Sequence, residues 1–218
     1  MIFLTVIAGY FYKGDTKMKK IPTLFKREFD EKTHKIINVL PELSESSLQW
    51  VLDGEGVATV KWDGSCCAII DDKFYVRYDA KNGKPIPDGA IKCQEEADPI
   101  TGHLPCWLPY DENNKGQKWF GEAYKFVSLK ADEWGLADGT YEAVGKHFNG
   151  NPYNLDYDTL IPHGVDIIDT IELSRTFEGI RDYLKQHYIE GIVFWKDGEP
   201  KCKIKRTDFG FEWQPKRR

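Results

Sequence analysis

The 218-residue chain has no apolar run long enough to cross a bilayer. Its apolar opening, Met1 to Tyr12, is too short to span one. That segment also lacks the basic n-region and small-residue cleavage site of a secretion signal. Cysteine is scarce, with five residues and no Cys-x-x-Cys pair. An odd, unpaired set argues against a disulfide framework and, with no secretion signal, points to a reducing, cytoplasmic compartment. A Walker A loop and a GxGxxG turn are both missing, so neither a P-loop nor a Rossmann site is supported. There is no internal repeat or low-complexity tract. Basic residues are not in excess either: 30 Lys and Arg stand against 35 Asp and Glu, for a net charge of −5. A nucleic-acid binder with that balance must concentrate its basic residues.

Hydrophobic residues make up 41% of the chain and aromatics 14%, enough for a packed core in one domain. The basic residues do concentrate near the end, at Lys196, Lys201, Lys203, Lys205, Arg206 and Lys216 to Arg218. The last three read equally as a solvated tail. Met18 is followed by Lys19-Lys20 and resembles a start. Residues 1–17 therefore read either as an upstream extension to a domain spanning 18–218 or as an N-terminal strand. Cys93, His103 and Cys106 are metal-ligand types, but their spacing is not that of a standard zinc module and a fourth ligand is missing.

Residues 28–50 read as a polar, helical or irregular lead-in. Val57 to Ile70 is β-rich, broken at Asp63-Gly64. After an Asp71-Asp72 turn, Phe74, Val76 and Tyr78 alternate with polar positions as a second strand. Cys66 and Cys67, adjacent in a strand, should face opposite sides. Residues 80–118 and 146–163 read as long Gly-, Pro- and Asn-rich loops. Trp119 to Leu129 and Thr140 to Gly145 read as strands. The clearest helix runs from Arg175 to Tyr188, with Ser174 as its N-cap and Phe177, Ile180, Leu184 and Tyr188 on its core face. Gly191 to Trp195 and Cys202 to Lys205 read as strands joined by an Asp197-Gly198 hairpin. Many strands and few helices predict an α+β fold built on antiparallel sheets.

One ordered set of residues carries chemistry: Lys61-Trp62-Asp63-Gly64, Arg77, Glu142, Glu190-Gly191-Ile192-Val193 and Lys203-Ile204-Lys205. It resembles the covalent nucleotidyltransferases, the superfamily of RNA ligases, DNA ligases and mRNA-capping enzymes. Lys61 to Gly64 matches the KxDG nucleophile motif, Glu190 to Val193 the EGhV motif, and Lys203-x-Lys205 the terminal KxK motif. Thr140-Tyr141-Glu142 takes the place of the ribose-binding acidic motif. Within the superfamily the chain is similar to the small ATP-dependent 5′-to-3′ RNA ligases, the group typified in vertebrates by RNA ligase 1. Gly54 to Thr59, Asp98 to His103, Gly150-Asn151-Pro152, His163-Gly164 and Asp208-Phe209-Gly210 carry that likeness. Trp62 and Ser65 depart from the residues usual there.

The resemblance implies an antiparallel nucleotidyltransferase domain with no OB-fold domain, since only about a dozen residues follow Lys205. Lys61 would be the nucleophile for ATP. Arg77 would contact the nucleotide and the incoming 5′-phosphate, Glu142 the ribose, and Glu190 a Mg²⁺ ion, with Glu142 as a second metal candidate and Mn²⁺ as an alternative ion. The partner would be RNA with 5′-phosphate and 3′-hydroxyl ends, the protein a monomer, and no membrane would be involved.

Chemistry supports these roles. A lysine is protonated at neutral pH and must lose that proton to attack phosphorus. Lys203 and Lys205 share one face of a strand and, if it lies beside the Lys61 strand, would disfavour a further positive charge and neutralise phosphates. A carboxylate accepts from ribose hydroxyls or holds a metal. Phe148 and Phe194 are the candidate adenine-stacking rings, Phe194 also reading as core. His103 and His163 read as phosphate or RNA contacts, or as structural histidines. The alternatives are a GTP-dependent capping-type guanylyltransferase, a DNA ligase, and a catalytically silent RNA-end-binding module.

Overall fold

Strands dominate the described residues of this computed structural model, which are 18–33, 35–81, 84–99, 101–130 and 136–213. The apolar opening and the basic end, Lys216 to Arg218, lie outside them. In chain order the elements are β1 (Phe25–Phe29), β2 (Ile36–Leu43), a short α1 (Gln49–Leu52), β3 (Val57–Lys61), β4 (Ser65–Ile70), β5 (Lys73–Ala80), β6 (Ile91–Lys92) and β7 (Leu104–Pro109). There follow α2 (Lys118–Lys130), β8 (Gly139–Val144), β9 (Thr159–Pro162), α3 (Phe177–Gln186), β10 (Gly191–Lys196) and β11 (Glu199–Lys205). A 3₁₀ turn, Arg206–Phe209, follows β11. The fold is α+β with antiparallel strand pairing throughout the sheets.

Three sheets organise the described residues. Six strands pair in the order β6-β7-β5-β4-β8-β9, three in the order β11-β10-β3, and β1 pairs with β2. Asp71 and Asp72 have φ of 48° and 60°, Asp197 and Gly198 of 53° and 75°. Both residues of each pair are left-handed, as a two-residue hairpin turn matching strand twist requires. The first turn joins β4 to β5 and the second β10 to β11, as the sequence predicts.

Each main sheet packs one face on a core of its own, and the larger sheet buries part of its other face as well. Ala58, Ile192, Phe194, Cys202 and Ile204 of the three-stranded sheet pack with Leu24, Phe25, Val51, Ile180 and Leu184. Cys67, Ile69, Phe74, Val76, Tyr141 and Ala143 of the six-stranded sheet pack on α2 through Ala123, Phe120 and Tyr124. Cys66 instead packs beside the group of Ala68, Tyr75, Cys93 and Trp107 on the opposite face, so the two adjacent cysteines do part. All five cysteines are free thiols.

Several expectations are corrected. The expected lead-in over 28–50 holds β2 and the end of β1, a ribbon in which Phe25 and Val39 are buried while Lys26, Arg27 and Glu28 hide the alternation behind charge. Trp119 to Leu129 is a helix, not a strand. Its aromatic residues have high strand propensity, but Phe120, Ala123, Tyr124 and Val127 recur at three and four, so helical winding alone brings them onto one core. The supposed loops contain β6, β7 and β9, and β7 carries the buried Cys106 and Trp107. The last helix begins at Phe177, because Thr176 caps it: its Oγ1 accepts from Gly179 N–H at 3.0 Å. Cys93, His103 and Cys106 do not gather as a ligand set. No helix of the described residues is long and apolar enough to cross a membrane.

Candidate active site

Strand register puts Lys61, Lys203 and Lys205 on the face of the three-stranded sheet opposite its core. Gly191 is the Cα partner of Lys61 on one side and of Lys205 on the other. The last strand does not pair directly with the Lys61 strand: β10 runs between them. Gly191 carries no side chain, and a Cβ there would collide with the Ile204 carbonyl. The two lysines, one from each strand flanking β10, meet at one carboxylate. Glu190, only 4% exposed, takes Lys61 Nζ on Oε2 at 2.5 Å and Lys205 Nζ on Oε1 at 2.6 Å. A buried carboxylate is costly unless paired, and two ammonium partners supply that pairing.

Lys203 is the third cation. Burial, then the charges of Lys61, Lys205 and Arg27, push its amine down to about 8, with Glu190 opposing them. Three cations around one carboxylate leave a local positive excess, which an anion would relieve. The Lys205 backbone is held in turn, its N–H donating to Asp208 Oδ2 at 2.9 Å while Arg27 lies 3.5 Å from the other oxygen of that buried carboxylate.

Trp62-Asp63-Gly64 leads from this sheet into β4 of the larger one. Gly64 lies so close to β8 that a Cβ there would strike the Ala143 carbonyl. Its N–H donates to Glu142 Oε1 at 2.9 Å. Glu142 Oε2 meets His163 Nε2 at 3.0 Å, and His163 Nδ1 meets Thr140 Oγ1 at 3.0 Å. Cys66 is the cross-strand partner of Glu142, and desolvation, followed by the Glu142 charge, pushes its thiol well up.

The turn is also clamped from outside both sheets. Asp63 N–H donates to the Tyr153 hydroxyl at 2.5 Å. Asn149 Nδ2 donates to Asp63 Oδ1 at 2.8 Å and to the Gly64 carbonyl at 2.6 Å. Trp213 Nε1 donates to Asp63 Oδ2 at 2.7 Å. Trp62 packs edge-on against Tyr153, with ring centroids 4.6 Å apart, and its Nε1 donates to Asp166 Oδ2 at 2.6 Å. Burial, with the nearby charges of Glu190, Asp63 and Glu142, pushes the Tyr153 phenol up, so it stays a neutral hydroxyl.

The structure thus brings Lys61, Lys203, Lys205 and Glu190 together on one wall and sets Glu142 beside the turn that links the walls. Arg77 does not join them by hydrogen bond or ion pair: it donates to Asp79 Oδ1 at 2.9 Å and to the Met18 carbonyl at 3.1 Å, 5.6 Å from the Trp107 ring. Phe148 is buried edge-on against Phe120, and Phe194 is wholly buried in the other core, so neither presents an open face for stacking. Tyr153, Asn149 and Trp213 were not foreseen. The one sequence trace of the first two is the Asn149-Gly150-Asn151-Pro152 stretch, where both asparagines adopt positive φ, as Asn tolerates in turns.

No protein-family model matches the chain. Among curated proteins, RNA ligase 1 of Pongo abelii is 27% identical over 271 aligned positions, covering 89% of this chain and 82% of that protein. RNA ligase 1 of Rattus norvegicus is likewise 27% identical, over 89% of this chain and 82% of its own length. The chain is a distant relative of these RNA ligases. A shorter match, 28% identical over 63% of this chain and 46% of the other, is to RNA ligase 1 of Danio rerio.

Proposed function

We propose that the chain is an ATP-dependent RNA ligase of the covalent nucleotidyltransferase type, joining 5′-phosphate and 3′-hydroxyl RNA ends through AMP carried on Lys61. The observation that most supports this reading is the bridge from Glu190 to Lys61 and Lys205, set beside a lysine whose amine is pushed down to about 8. The relationship to proteins named RNA ligase 1 supports RNA as the substrate.

In this reading the Lys61 ammonium gives one proton to a base; Glu190, at 2.5 Å, is within reach to accept it. The Nζ lone pair forms a bond to the α-phosphorus, the bond to the bridging oxygen breaks, and pyrophosphate leaves. Nζ sheds its second proton as the phosphoramidate forms. A 5′-phosphate oxygen of RNA next attacks that phosphorus, the N–P bond breaks, and Lys61 regains a proton. Finally the 3′-hydroxyl attacks the RNA phosphorus, loses its proton, and AMP departs. Lys203 and Lys205 stabilise the charge on the phosphoryl oxygens and on the leaving pyrophosphate. Glu142 accepts from the ribose hydroxyls. Carboxylate oxygens are the hard donors that Mg²⁺ takes, so Glu190 and Glu142 fit such an ion. When bound, Mg²⁺ supplies neutralisation of phosphate charge.

The test is self-labelling with α-labelled ATP or GTP, followed by RNA bearing 5′-phosphate and 3′-hydroxyl ends. ATP should label the protein and RNA should be joined. Labelling by GTP would indicate a capping-type enzyme. A DNA nick sealed as fast as RNA would indicate a DNA ligase, and RNA-end binding without label a silent module.

A further inference from the structure

We propose that Cys66, Glu142 and His163 form a binding site for a divalent cation of the Zn²⁺ class. One ligand atom from each residue lies within 4.8 Å of the others, and all three residues are partly buried. Neighbouring parts of one sheet deliver them. Cys66 and Glu142 are direct cross-strand partners on β4 and β8, so their side chains share a face. His163 directly follows β9, and its backbone N–H donates to the Thr140 carbonyl at 3.0 Å.

The donor set is a thiol sulfur, an imidazole nitrogen and a carboxylate oxygen. That mixture suits Zn²⁺ with a fourth position open, whereas Mg²⁺ takes oxygen alone. Supporting contacts are present for two of the three ligands. His163 Nδ1 meets Thr140 Oγ1, and Glu142 Oε1 accepts from Gly64 N–H. Such partners orient a ligand and fix a histidine tautomer. In one tautomer Nε2–H donates to Glu142, but in the one that donates Nδ1–H to Thr140 Oγ1 the atoms facing each other at 3.0 Å, Nε2 and Oε2, are both acceptors. A cation between them, completed by Cys66 sulfur, satisfies both.

One consequence rests on the proposed function. Glu142 is there the ribose carboxylate, so Zn²⁺ bound to it withdraws that acceptor and competes with ATP.

The metal site is tested on the metal-free full chain with Co²⁺ alone, and then with Zn²⁺. One Co²⁺ per chain should give a near-ultraviolet sulfur-to-cobalt band that Zn²⁺ abolishes. Cys66→Ser should lose the band, Cys106→Ser should keep it, and Thr140→Val should weaken affinity by roughly 10-fold. Circular dichroism checks that each variant folds, and His163→Ala offers a second route to loss of binding. A wild-type protein without the band, or a band that survives Cys66→Ser, overturns the site. In ATP labelling, Zn²⁺ should raise the KM for ATP in the wild type and not in Cys66→Ser; equal inhibition of both overturns the competition. If the band appears but ATP never labels the chain, the failure belongs to the proposed function and not to the metal site.

Discussion

On the three-stranded sheet, Lys61, Lys203, Lys205 and Glu190 take their positions from strands whose register is set by one two-residue hairpin and by Gly191 between two lysines. On the six-stranded sheet, Glu142 depends on His163 and Gly64, and the linking turn depends on Asn149, Tyr153 and Trp213, which come from loops and from the chain end. The first wall is cationic and set by strand pairing, the second polar and set by loop contacts. Where charge is concentrated, removing a group should change chemistry; where the turn is clamped, removing one should change its placement.

The largest effect is expected at Lys61. Lys61→Ala removes the proposed attacking nitrogen, and Lys61→Arg keeps the charge but cannot be deprotonated. Both should reduce ATP labelling to background. Glu190→Gln comes next: it keeps shape but leaves two ammonium groups without their counter-charge. Adenylylation should fall by about 10²-fold or more, the range of a lost general base. If Glu142→Gln lowered kcat as much as Glu190→Gln, instead of acting mainly on the KM for ATP, the division between the walls would fail.

Lys203 gives a pH signature. Its amine sits at about 8 in the folded protein against an ordinary 10.5, so the unfolded chain holds that proton more tightly. The cost of keeping it charged is therefore present in full below pH 8. It is relieved as pH rises from about 8 to 10.5, where stability should climb. Relative to wild type, Lys203→Met should be more stable at pH 7 by about 2 kcal/mol, after discounting for partial exposure. The advantage should vanish near pH 10.5, as read by denaturant unfolding. The same variant should form lysyl-AMP more slowly while still joining pre-adenylylated RNA. A constant stability difference across this range would show that Lys203 is not held in a costly charged state.

The smallest effects belong to the clamp. Trp213→Phe removes one donor to Asp63 and should cost about 1 kcal/mol of stability with a few-fold slower adenylylation. Asn149→Ala removes donors to both Asp63 and Gly64 and should cost more than Trp213→Phe in both readings. The reverse order would mean that the chain end, not the loop, sets the turn.

The same difference decides what could be read from the sequence. Lys203 and Lys205 alternate, Asp197-Gly198 fixes a hairpin, and a period of two then aligns their faces without any distant information. What that pattern omits is that β10 intervenes, with Gly191 so close to β11 that a Cβ would strike the Ile204 carbonyl. Trp213 reaches Asp63 across 150 positions, and no local pattern carries such a contact. The β1–β2 ribbon was hidden by charge, and α2 by aromatic residues whose propensity favours strands but whose spacing serves a helical core face.

In the proposed reaction Lys61, held by Glu190 beside Lys203 and Lys205, is the group that takes AMP. The most direct measurement is the intact mass of the protein after incubation with ATP and Mg²⁺, followed by peptide mapping of the adduct. A single AMP on Lys61, absent from Lys61→Arg, is expected; an unmodified wild-type mass, or AMP on any other residue, would rule out Lys61 as the nucleophile.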